Sequence, residues 1–391
     1  MTTVHIVDDD IQTAELLCAV IENIDLDCQT FTEAKQFLHT SVENNDVILL
    51  DLNMPDVDGI EVIRTLAKNN CQARLVLISG HDKSVLHSAE QLARARSLNF
   101  VASFTKPIEI EKLQNFLKQT SLNISASKTT RPDADVMPSV EELQHAITCR
   151  ELLLHYQPKI DICTGKLTGV EALVRWQHPE RGLIYPNLFI SLAEENNLIG
   201  ELTALVISMS MEQSRNWQDN GLTTQISVNV SADNITSLSL PEQLTNMLSN
   251  NRLDPHMLTL EVTESALMSE LVTSLDILTR LRMKGFGLSI DDFGTGYSSL
   301  SQLHRIPFTE LKIDQSFIMS MSDDIESRAI VKTCILLGHE LNMKVVAEGV
   351  ETGEALRKLN TLGCDIAQGY YISRPIPAQE LLEWTHARKP Y

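Results

Sequence analysis

The first 120 residues alternate short apolar runs with amphipathic stretches. Between the first two runs, apolar residues recur at helical spacing from Ala14 to Ile24 and would pack one face of a helix on a sheet. Short apolar runs separated by helical patterns are typical of buried parallel strands, so this part is predicted to form a doubly wound α/β sheet. The predicted strands are Val4–Val7, Asp46–Leu50, Leu75–Ile78 and Phe100–Ala102.

The pattern changes after residue 120. From Ser121 to Ser139 the chain is rich in Ser, Thr, Asp and Pro and has little apolar periodicity, which predicts a mobile linker. The remaining segment, residues 140–391, is long enough for one large α/β barrel, and no third domain is indicated. We therefore expect two domains, residues 1–120 and 140–391, joined by the linker 121–139.

Five segments of the C-terminal part place an acidic or amide side chain at the end of an apolar run. Several of them are separated by roughly 30 residues, the length of one strand, one helix and two loops of a barrel. Oxygen ligands gathered from the ends of different parallel strands are what a divalent-cation site needs. The segments are Glu171-Ala172-Leu173, Val228-Asn229-Val230-Ser231, Leu260-Glu261-Val262-Thr263-Glu264, Asp291-Asp292-Phe293-Gly294-Thr295-Gly296 and Val346-Ala347-Glu348-Gly349.

These motifs, in this order, resemble the EAL domain, the catalytic module of cyclic di-GMP phosphodiesterases, which is named after the motif found here at Glu171-Ala172-Leu173. The resemblance covers the chain from about Val140 to Trp384. It implies a TIM-like (β/α) barrel that hydrolyses cyclic di-GMP to linear 5'-pGpG with two Mg²⁺ or Mn²⁺ ions. In such an in-line displacement, two metal ions activate a bridging water and stabilise the leaving oxygen.

The resemblance also implies roles for individual residues. Lys312 would lie beside the nucleophilic water, either as its general base, which requires a lowered pKa, or as its electrostatic support. Glu348 would position metal-bound water, and Glu264 would hold the loop that carries Gly294 and Gly296. The implied metal ligands are Glu171, Asn229, Glu261, Asp291 and Asp292, with Asp291 bridging the two ions, and the implied substrate contacts are Gln157, Arg175 and Gln368.

Polar residues also follow the predicted strands of the N-terminal part. Asp8 and Asp9 follow the first strand, Asp51 the second, Ser79 the third and Lys106 the last. The carboxyl ends of strands converge on one crevice in an open α/β sheet, and three carboxylates there suit Mg²⁺. A carboxylate nucleophile at such a site can take a phosphoryl group, whose charge the metal, a hydroxyl and a lysine would stabilise.

This part resembles a response-regulator receiver domain over nearly all of residues 1–120. The resemblance implies a sensor histidine kinase as the partner and one bound Mg²⁺. It implies that Asp51 is the phosphoacceptor and that Lys106 pairs with the phosphate. Asp9, Asp51 and the carbonyl of Asn53 would hold the Mg²⁺, with Asp8 in support. Ser79 would be the switch hydroxyl.

One position departs from the receiver pattern. Receivers usually carry Tyr or Phe three residues before the lysine, whereas this chain has Ser103 there and Phe104 one place along. The usual aromatic relay of the phosphorylation signal is therefore in doubt. The alternative is a degenerate receiver that only docks or dimerises. The presence of Asp8, Asp9 and Asp51 together with Lys106 argues against it.

The overall composition restricts the classes of partner. The net charge of −20 and the pI of about 4.9 argue against a nucleic-acid or anionic-membrane surface. No long apolar run is present and the acidic N-terminus lacks a basic segment, so we expect neither membrane insertion nor a signal peptide. The seven cysteines form no C-x-x-C pair, which indicates reduced thiols, in agreement with the cytoplasmic setting that the resemblance implies.

Two other classes of function compete with an enzyme. EAL-like domains that lack metal ligands act as cyclic di-GMP receptors or as interaction modules. This chain keeps the ligand set together with Lys312 and Glu348, for which a receptor would have little need, so we expect an active phosphodiesterase. Because Ser103 replaces the aromatic switch, we expect the receiver to act through its packing or a subunit contact, in a dimer or larger assembly. The sequence leaves the direction of that regulation open.

Overall fold

The computed structural model describes residues 3–24, 26–55, 57–80, 83–96, 98–110, 112–118, 138–264, 266, 271–294, 303 and 305–387. The chain divides into two compact units, Met1–Pro132 and Asp133–Tyr391. Residues 121–137 of the predicted linker lie outside the described residues, so the linker stays a prediction. Ser139 caps the helix that follows, since its Oγ accepts the Glu142 N–H and the Glu142 carboxylate accepts the Ser139 N–H.

The described residues of the N-terminal unit form five strands and four helices, and residues 112–118 are also helical. The strands are β1 (Thr3–Val7), β2 (Asp27–Phe31), β3 (Val47–Asp51), β4 (Arg74–Ser79) and β5 (Phe100–Thr105), and the helices are α1 (Ile11–Glu22), α2 (Ala34–Leu38), α3 (Gly59–Lys68) and α4 (Lys83–Ala95). All five strands are parallel, in the order β2-β1-β3-β4-β5. This is one of the common orders of doubly wound sheets, and the predicted fold is confirmed.

Strand β2 is the one that the apolar pattern did not predict. It lies at the edge of the sheet, and most of its residues are exposed or half-buried. Only a parallel strand that is covered on both faces and flanked on both sides needs a continuous apolar run. A polar edge strand such as this one therefore gives no signal in a search for apolar runs.

The inner strands send alternate residues to the two faces of this sheet. Leu75 and Leu77 of β4 belong to the core that contains side chains of α2, α3 and α4. Val76 and Ile78 belong to the other core, with side chains of α1 and of residues 112–118. Phe104 packs on this second core, with its ring centroid 5.9 Å from that of Phe116.

The described residues of the C-terminal unit begin with a helix and then form ten strands. The strands are β6 (Leu152–Asp161), β7 (Leu167–His178), β8 (Gly182–Ile184), β9 (Gln225–Asn229), β10 (Leu258–Thr263), β11 (Gly287–Phe293), β12 (Glu310–Ile313), β13 (Lys344–Ala347), β14 (Ile366–Ala367) and β15 (Ile376–Pro377). The α-helices are α5 (Val140–Cys149), α6 (Ile190–Glu195), α7 (Ile199–Asp219), α8 (Leu240–Asn251), α9 (Leu271–Met283), α10 (Gln315–Ser320), α11 (Ile325–Glu340), α12 (Gly353–Leu362) and α13 (Ala378–Ala387). Short 3-10 turns lie at Pro186–Leu188, Asn234–Thr236 and Pro255–Met257.

Eight of these strands, β6, β7 and β9 to β14, close into a barrel, so the predicted TIM-like fold is confirmed. Strand β6 departs from a regular parallel barrel because it pairs antiparallel with both of its neighbours, β7 and β14. The reason is the connection: only residues 162–166 lie between β6 and β7, too few for the crossover that parallel neighbours need. Across the described part of the chain, no helix combines the length and apolar character needed to cross a bilayer.

The antiparallel pair also changes the position of Glu171. The apolar pattern predicted this residue at the end of a strand, and that expectation is wrong. Glu171 lies inside the twelve-residue β7, directly opposite Gln157 of β6. Strand β7 continues past the site because its last residues form a hairpin with β8.

The interior of the barrel is polar. On β10, Leu260 and Val262 belong to the main hydrophobic core, whereas Glu261 between them meets Lys159, which comes from β6. The same alternation occurs on β12, where Leu311 and Ile313 flank Lys312. The hydrophobic core therefore lies between strands and helices, and the space enclosed by the strands is left to charged and hydroxyl side chains.

Candidate active site

Lys312 lies at the centre of a carboxylate cluster near the carboxyl ends of the barrel strands, and it is only 1% exposed. Its Nζ is 2.7 Å from Glu261 Oε2 and from Glu348 Oε1, 3.0 Å from Asp291 Oδ1, and 3.7 Å from Glu171 Oε2. These residues belong to β10, the segment after β13, β11 and β7. Closure of the barrel therefore gathers four carboxylates from distant parts of the chain around one ammonium group.

The charge state of Lys312 bears on the two roles that the sequence left open. Burial by itself lowers the pKa of this lysine, but attraction by Glu171, Glu261, Glu348 and Asp291 raises it well above its ordinary value. A general base needs the opposite shift. Among these neighbours, Lys312 therefore holds its proton and supplies positive charge.

Asp291 and Asp292 are adjacent in the sequence, and consecutive residues of a regular strand point to opposite faces. Here the register between β11 and β12 shifts between Ile290 and Phe293, and Asp292 adopts the left-handed conformation with φ of 54°. Aspartate is one of the few residue types other than glycine that tolerate this conformation. As a result, ligand oxygens of Asp291, Asp292 and Glu348 all lie within 4.8 Å of one another.

The pKa values of this cluster show an excess of negative charge. Burial and the Asp291 carboxylate raise the pKa of Asp292 to about 6. Burial raises the pKa of Glu348 to about 8, against the pull of Lys312 and with help from Asp291. Glu261 is the exception: although its burial favours the neutral acid, Lys159 and Lys312 lower its pKa to about 2.

The donor set fits divalent cations. Carboxylate oxygens are the ligands that Mg²⁺ and Mn²⁺ prefer, and a cation would allow the acids with raised pKa values to ionise. Carboxylates outnumber lysines in this cluster. The carboxylates are those of Glu171, Glu261, Asp291, Asp292, Glu310 and Glu348, and the lysines are Lys159 and Lys312.

Three predicted residues meet at Glu171. Asn229 Nδ2 donates to its Oε1 at 2.9 Å, which leaves the Asn229 Oδ1 as the atom for a cation. Gln368 Nε2 donates to Glu171 Oε2 at 2.6 Å and to Gln157 Oε1 at 3.0 Å. Gln157 in turn donates to the carbonyl of Ser373 at 3.2 Å. The amides of Asn229 and Gln368 thus fix the orientation of Glu171, and Gln157 in turn supports Gln368.

Glu264 lies one residue beyond β10, in the loop where it was predicted. Its Oε2 accepts the N–H of Gly294 at 3.3 Å, and its own N–H donates to the carbonyl of Asp291, also at 3.3 Å. Glu264 is thereby bonded to both ends of the segment that carries the two aspartates. Gly294 has a φ of 101°, which favours glycine, whereas the predicted partner Gly296 lies outside the described residues.

A cleft of about 200 Å³ opens beside the cluster, and among its lining residues are Gln157, Glu171, Glu348, Gln368 and Tyr370. Arg175 is not among the described residues that line it. This arginine is buried, donates from Nη1 to the Val174 carbonyl at 2.8 Å, and lies 5.3 Å from the ring centroid of Tyr185. Arg175 lies four positions after Glu171 along β7, so both side chains are on the same face of the strand.

The sequence analysis missed three residues of this network, Lys159, Ser227 and Glu310. Lys159 Nζ donates to Glu261 Oε1 at 2.6 Å, Ser227 Oγ at 2.8 Å and Glu310 Oε1 at 3.1 Å. Their signal is a spacing of two: Lys159 follows Gln157, and Glu310 precedes Lys312, each by two residues on one strand. In a strand, that spacing places both residues on the same face.

The N-terminal unit has a smaller acidic site at the carboxyl ends of β1 and β3. Ligand oxygens of Asp8, Asp9 and Asp51 lie within 4.8 Å of one another, with Asp9 exposed and the other two buried. Lys106 Nζ is 2.7 Å from Asp8 Oδ2 and 2.5 Å from Asp51 Oδ2. Burial lowers the pKa of Lys106, but its bonds to Asp51 and Asp8 outweigh that effect and raise the pKa. The sequence-predicted acids and lysine therefore meet at one point.

The remaining predicted residues lie around this site. The N–H of Asn53 donates to Asp51 Oδ1 at 3.0 Å, and buried Ser79 accepts the Lys106 N–H through its carbonyl at 2.8 Å. Ser103 is half-buried on β5, opposite Leu77. Because Phe104 points to the other face of the sheet, its ring does not stand in for an aromatic side chain at position 103.

Two family models match the chain, one for each unit. The model of the EAL domain matches residues 140–375. The model of the response regulator receiver domain matches residues 4–118. The first match alone covers more than half of the chain, and the two together leave only short segments outside.

Two curated relatives come from Pseudomonas aeruginosa (strain PAO1). The chain is 46% identical over 244 residues to the bifunctional diguanylate cyclase/cyclic di-GMP phosphodiesterase MucR, a match that covers 62% of this chain and 36% of MucR. It is 32% identical over 340 residues to the cyclic di-GMP phosphodiesterase RocR, and this match covers 87% of this chain and 86% of RocR. The chain therefore spans about a third of the length of MucR but most of the length of RocR.

One solved structure is similar to the C-terminal unit at high identity. It is the PaMucR phosphodiesterase in complex with c-di-GMP, with 45% sequence identity and a TM-score of 0.60. The match covers 62% of this chain and 98% of that structure. The part of the chain that forms the barrel is thus similar, almost end to end, to a protein solved with this ligand.

Proposed function

The chain belongs to the EAL domain family and carries a response regulator receiver domain before that domain, and from this premise we propose that it is a response regulator that hydrolyses cyclic di-GMP to linear 5'-pGpG. RocR, a cyclic di-GMP phosphodiesterase, is similar to this chain along nearly its whole length. The barrel would carry out the hydrolysis, and the receiver would regulate it.

The observation that carries the proposal is the cluster around Lys312, next to the cleft. A module that only binds its ligand needs a complementary pocket, but it has no need of paired aspartates turned toward one site by a strained bulge. Asp291, Asp292 and Glu348 form such a group, with Lys312 in contact with two of them. Backbone strain of this kind persists where the surrounding structure imposes it, and it is concentrated at functional sites.

Glu171, Asn229, Glu261 and Asp291 would hold one divalent cation, and Asp291 and Asp292 a second. When bound, two Mg²⁺ or Mn²⁺ ions would activate a water molecule and stabilise the leaving oxygen of the phosphodiester. The protein supplies the fixed orientation of these ligands: Asn229 and Gln368 hold both oxygens of Glu171, and Glu264 holds the loop of Asp291 and Asp292.

The other residues of the site would act on the substrate. Lys312, which contacts Glu261, Glu348 and Asp291, would stabilise negative charge on the reacting phosphate. Glu348 would accept a hydrogen bond from the attacking water. Gln157 and Gln368 line the cleft and would contact the dinucleotide, and Arg175 would bind a phosphate with its planar fork of donors.

The deciding experiment is turnover of cyclic di-GMP by the purified full-length protein. Linear product would be separated by chromatography after incubation with Mg²⁺, with Mn²⁺, and with neither. We expect hydrolysis with both metals and inhibition by Ca²⁺, whose longer bonds and looser geometry do not match a site formed for the smaller ions. Binding of cyclic di-GMP with no product under either metal would show that the chain is a receptor and not an enzyme.

For the N-terminal unit we propose phosphorylation of Asp51 by a sensor histidine kinase. Asp9, Asp51 and the carbonyl of Asn53 would hold one Mg²⁺ with Asp8 in support, and Lys106 and Ser79 would contact the phosphoryl oxygens. The support is the convergence of the three aspartates with Lys106. Because Phe104 does not replace the aromatic switch, we propose that the signal reaches the barrel through receiver packing in a dimer or larger assembly of a cytoplasmic protein.

A further inference from the structure

Lys159 is a buried charge that the proposed reaction does not use directly. It comes from β6 and is 2% exposed. Strand β6 does not pair with β10, so the Lys159 side chain must cross the barrel interior to reach Glu261 at 2.6 Å. A buried ammonium group is tolerated only when it is paired and hydrogen-bonded, and this one has three partners.

The contact with Lys159 fixes the carboxylate of Glu261. Lys159 holds Oε1 at 2.6 Å, and Lys312 holds Oε2 at 2.7 Å from the opposite side. Two charge-assisted bonds to the two oxygens of one carboxylate determine its rotamer and the tilt of its plane. Lys312 also contacts Asp291 and Glu348, so it links Oε2 of Glu261 to the proposed metal site, whereas Oε1 is held by Lys159.

These contacts form a closed circuit of alternating charge. Glu310 Oε1 accepts from Lys159 at 3.1 Å and from Ser289 Oγ at 3.1 Å. Glu310 and Lys312 are two residues apart on β12 and lie on the same face of that strand. Glu310 contacts Lys159, Lys159 contacts Glu261, and Glu261 contacts Lys312. Through Lys159 and Glu261, the circuit ties β12 to β6 and β10. Movement of any one of these strands would therefore disturb the orientation of Glu261.

We propose that Lys159 is a positioning residue that orients Glu261 for metal binding and thereby sets the metal affinity of the site. The proposal rests on the proposed function for the identity of Glu261 as a ligand. The hydrogen-bond partners of Lys159 are Ser227, Glu261 and Glu310, and of these only Glu261 is a proposed ligand, so Lys159 would act on the metal through Glu261. Groups that orient a ligand from behind typically contribute 10- to 100-fold to metal affinity or activity.

The test is Lys159→Met in the full-length protein, with Mn²⁺ binding measured by calorimetry after removal of metal with a chelator. We expect the dissociation constant of the barrel site to rise by about 10- to 100-fold. The heat that remains in an Asp291→Asn/Glu261→Gln variant reports Mn²⁺ bound elsewhere in the chain and is subtracted. Lys344→Met is the matched control, because Lys344 lies on β13 of the same barrel with a side chain that is 69% exposed.

A purely structural role for Lys159 predicts a different result. The variant would then have a lower melting temperature, but its folded molecules would bind Mn²⁺ as tightly as the wild type, and this result would overturn the proposal. The kinetics give a second readout: with saturating Mn²⁺ the KM for cyclic di-GMP should stay within about threefold, whereas the Mn²⁺ concentration for half-maximal rate should rise with the dissociation constant. An increase in KM alone would also overturn it.

Removal of one member of a buried charge pair can prevent folding. In that event Lys159→Met/Glu310→Gln provides the same comparison, because it removes one positive and one negative charge and restores the balance in the interior. Unchanged Mn²⁺ affinity in the double variant would count against the proposal, and weakened affinity would support it. The calorimetric result does not depend on turnover, so a wild-type protein that binds Mn²⁺ but releases no product would refute the proposed function and leave the role of Lys159 measurable.

Discussion

Two lysines in this chain lie among carboxylates at the carboxyl ends of parallel strands, yet their surroundings differ. The Lys106 side chain is 24% exposed and bridges two aspartates, Asp8 and Asp51. The Lys312 side chain is 1% exposed and contacts carboxylates from four parts of the barrel. The first arrangement can be reached by another protein, whereas the second can be reached only by a molecule that enters the cleft.

The difference also concerns how firmly each ligand is held. Glu261 of the barrel is bonded at both oxygens by buried lysines, and Glu171 is bonded at both oxygens by amides. Asp9 of the N-terminal site is exposed. A rigid, dry site suits a reaction that depends on the positions of atoms, and an open one suits transfer of a group between proteins. Substitutions in the barrel should therefore affect chemistry, and those in the receiver should affect regulation.

The largest effect is expected for Glu171→Ala. This change removes a proposed metal ligand and the acceptor of two amide hydrogen bonds, so turnover should fall by at least about 100-fold, the upper end of the loss caused by removing a group that only supports a ligand. The rate of linear product formation measures it. Asp219→Ala, an exposed carboxylate on α7, is the control, and circular dichroism should show that both variants fold. More than about a tenth of wild-type turnover would remove Glu171 from the ligand set.

The next effect is the pH dependence of Mn²⁺ binding. Asp292, a proposed ligand with its pKa raised to about 6, and Glu348, which would hold the metal-bound water and has its pKa raised to about 8, must both lose protons before the site can take up the metal with its water. Between pH 6 and 8 the affinity should rise by up to about tenfold per pH unit as the proton of Glu348 is displaced. Calorimetry at pH 6, 7 and 8 measures this, and Glu348→Gln should flatten the slope.

The same raised pKa determines how stability without metal depends on pH. A carboxyl group whose pKa is higher in the folded protein binds its proton more tightly there than in the unfolded chain. Its contribution to stability is complete below the ordinary value of 4.5 and is lost as pH rises through about 8. The barrel without metal should thus become less stable from acidic to alkaline pH, and added Mn²⁺ should stabilise it more at pH 8 than at pH 6. An identical metal effect at both pH values would contradict the assignment of Glu348.

A smaller effect is expected for Glu264→Ala. It removes one hydrogen bond, of 3.3 Å, to the loop of Asp291 and Asp292, so we expect about a tenfold loss of activity, the lower end of the range for such supporting groups. More Mn²⁺ should also be needed for half-maximal rate. Glu264→Gln is the matched control because its amide oxygen can still accept the Gly294 N–H. Equal losses in the two variants would show that the charge matters and the hydrogen bond does not.

The smallest effect is expected from phosphorylation of Asp51. Coupling between two sites is typically worth about 1–3 kcal/mol, or roughly 5- to 150-fold. We expect the low end, about fivefold, because Ser103 cannot act as the usual aromatic relay. Turnover would be compared with and without acetyl phosphate, with Asp51→Asn as the variant that cannot be phosphorylated and light scattering as the measure of assembly. Identical turnover in a protein that stays monomeric would leave the receiver without control over catalysis.

Much of this molecule was predictable because both units follow strong periodic patterns. Buried parallel strands gave apolar runs, as at Val47–Asp51 and Arg74–Ser79, and the acids that follow strands were correctly placed near one another. The edge strand Asp27–Phe31 was missed because a polar strand has no such signal. The sequence pattern did not predict that β6 is antiparallel. Only the length of the loop 162–166, which is too short for a parallel crossover, indicates this.

The details of the barrel site were less accessible. Asp291 and Asp292 both face the barrel site because the register between β11 and β12 shifts beside them. The spacing of apolar residues in the sequence does not reveal such a shift. Lys159 was missed because its partners Glu261 and Glu310 lie 102 and 151 residues away in the sequence. Contacts across a closed barrel depend on which strands face each other, and the order of strands along the chain does not state that directly.

The left-handed backbone at Asp292 also bears on how this sequence can diverge. Most residue types are disfavoured in that conformation, at a cost on the order of 1–3 kcal/mol, whereas asparagine and glycine are tolerated. A descendant that lost the reaction but kept the barrel would therefore be expected to carry Asn or Gly at position 292, and a bulky or β-branched residue there would mean that the bulge itself had been lost. The residue at position 292 would then distinguish a barrel that has lost activity but kept the bulge from one in which the bulge itself is lost.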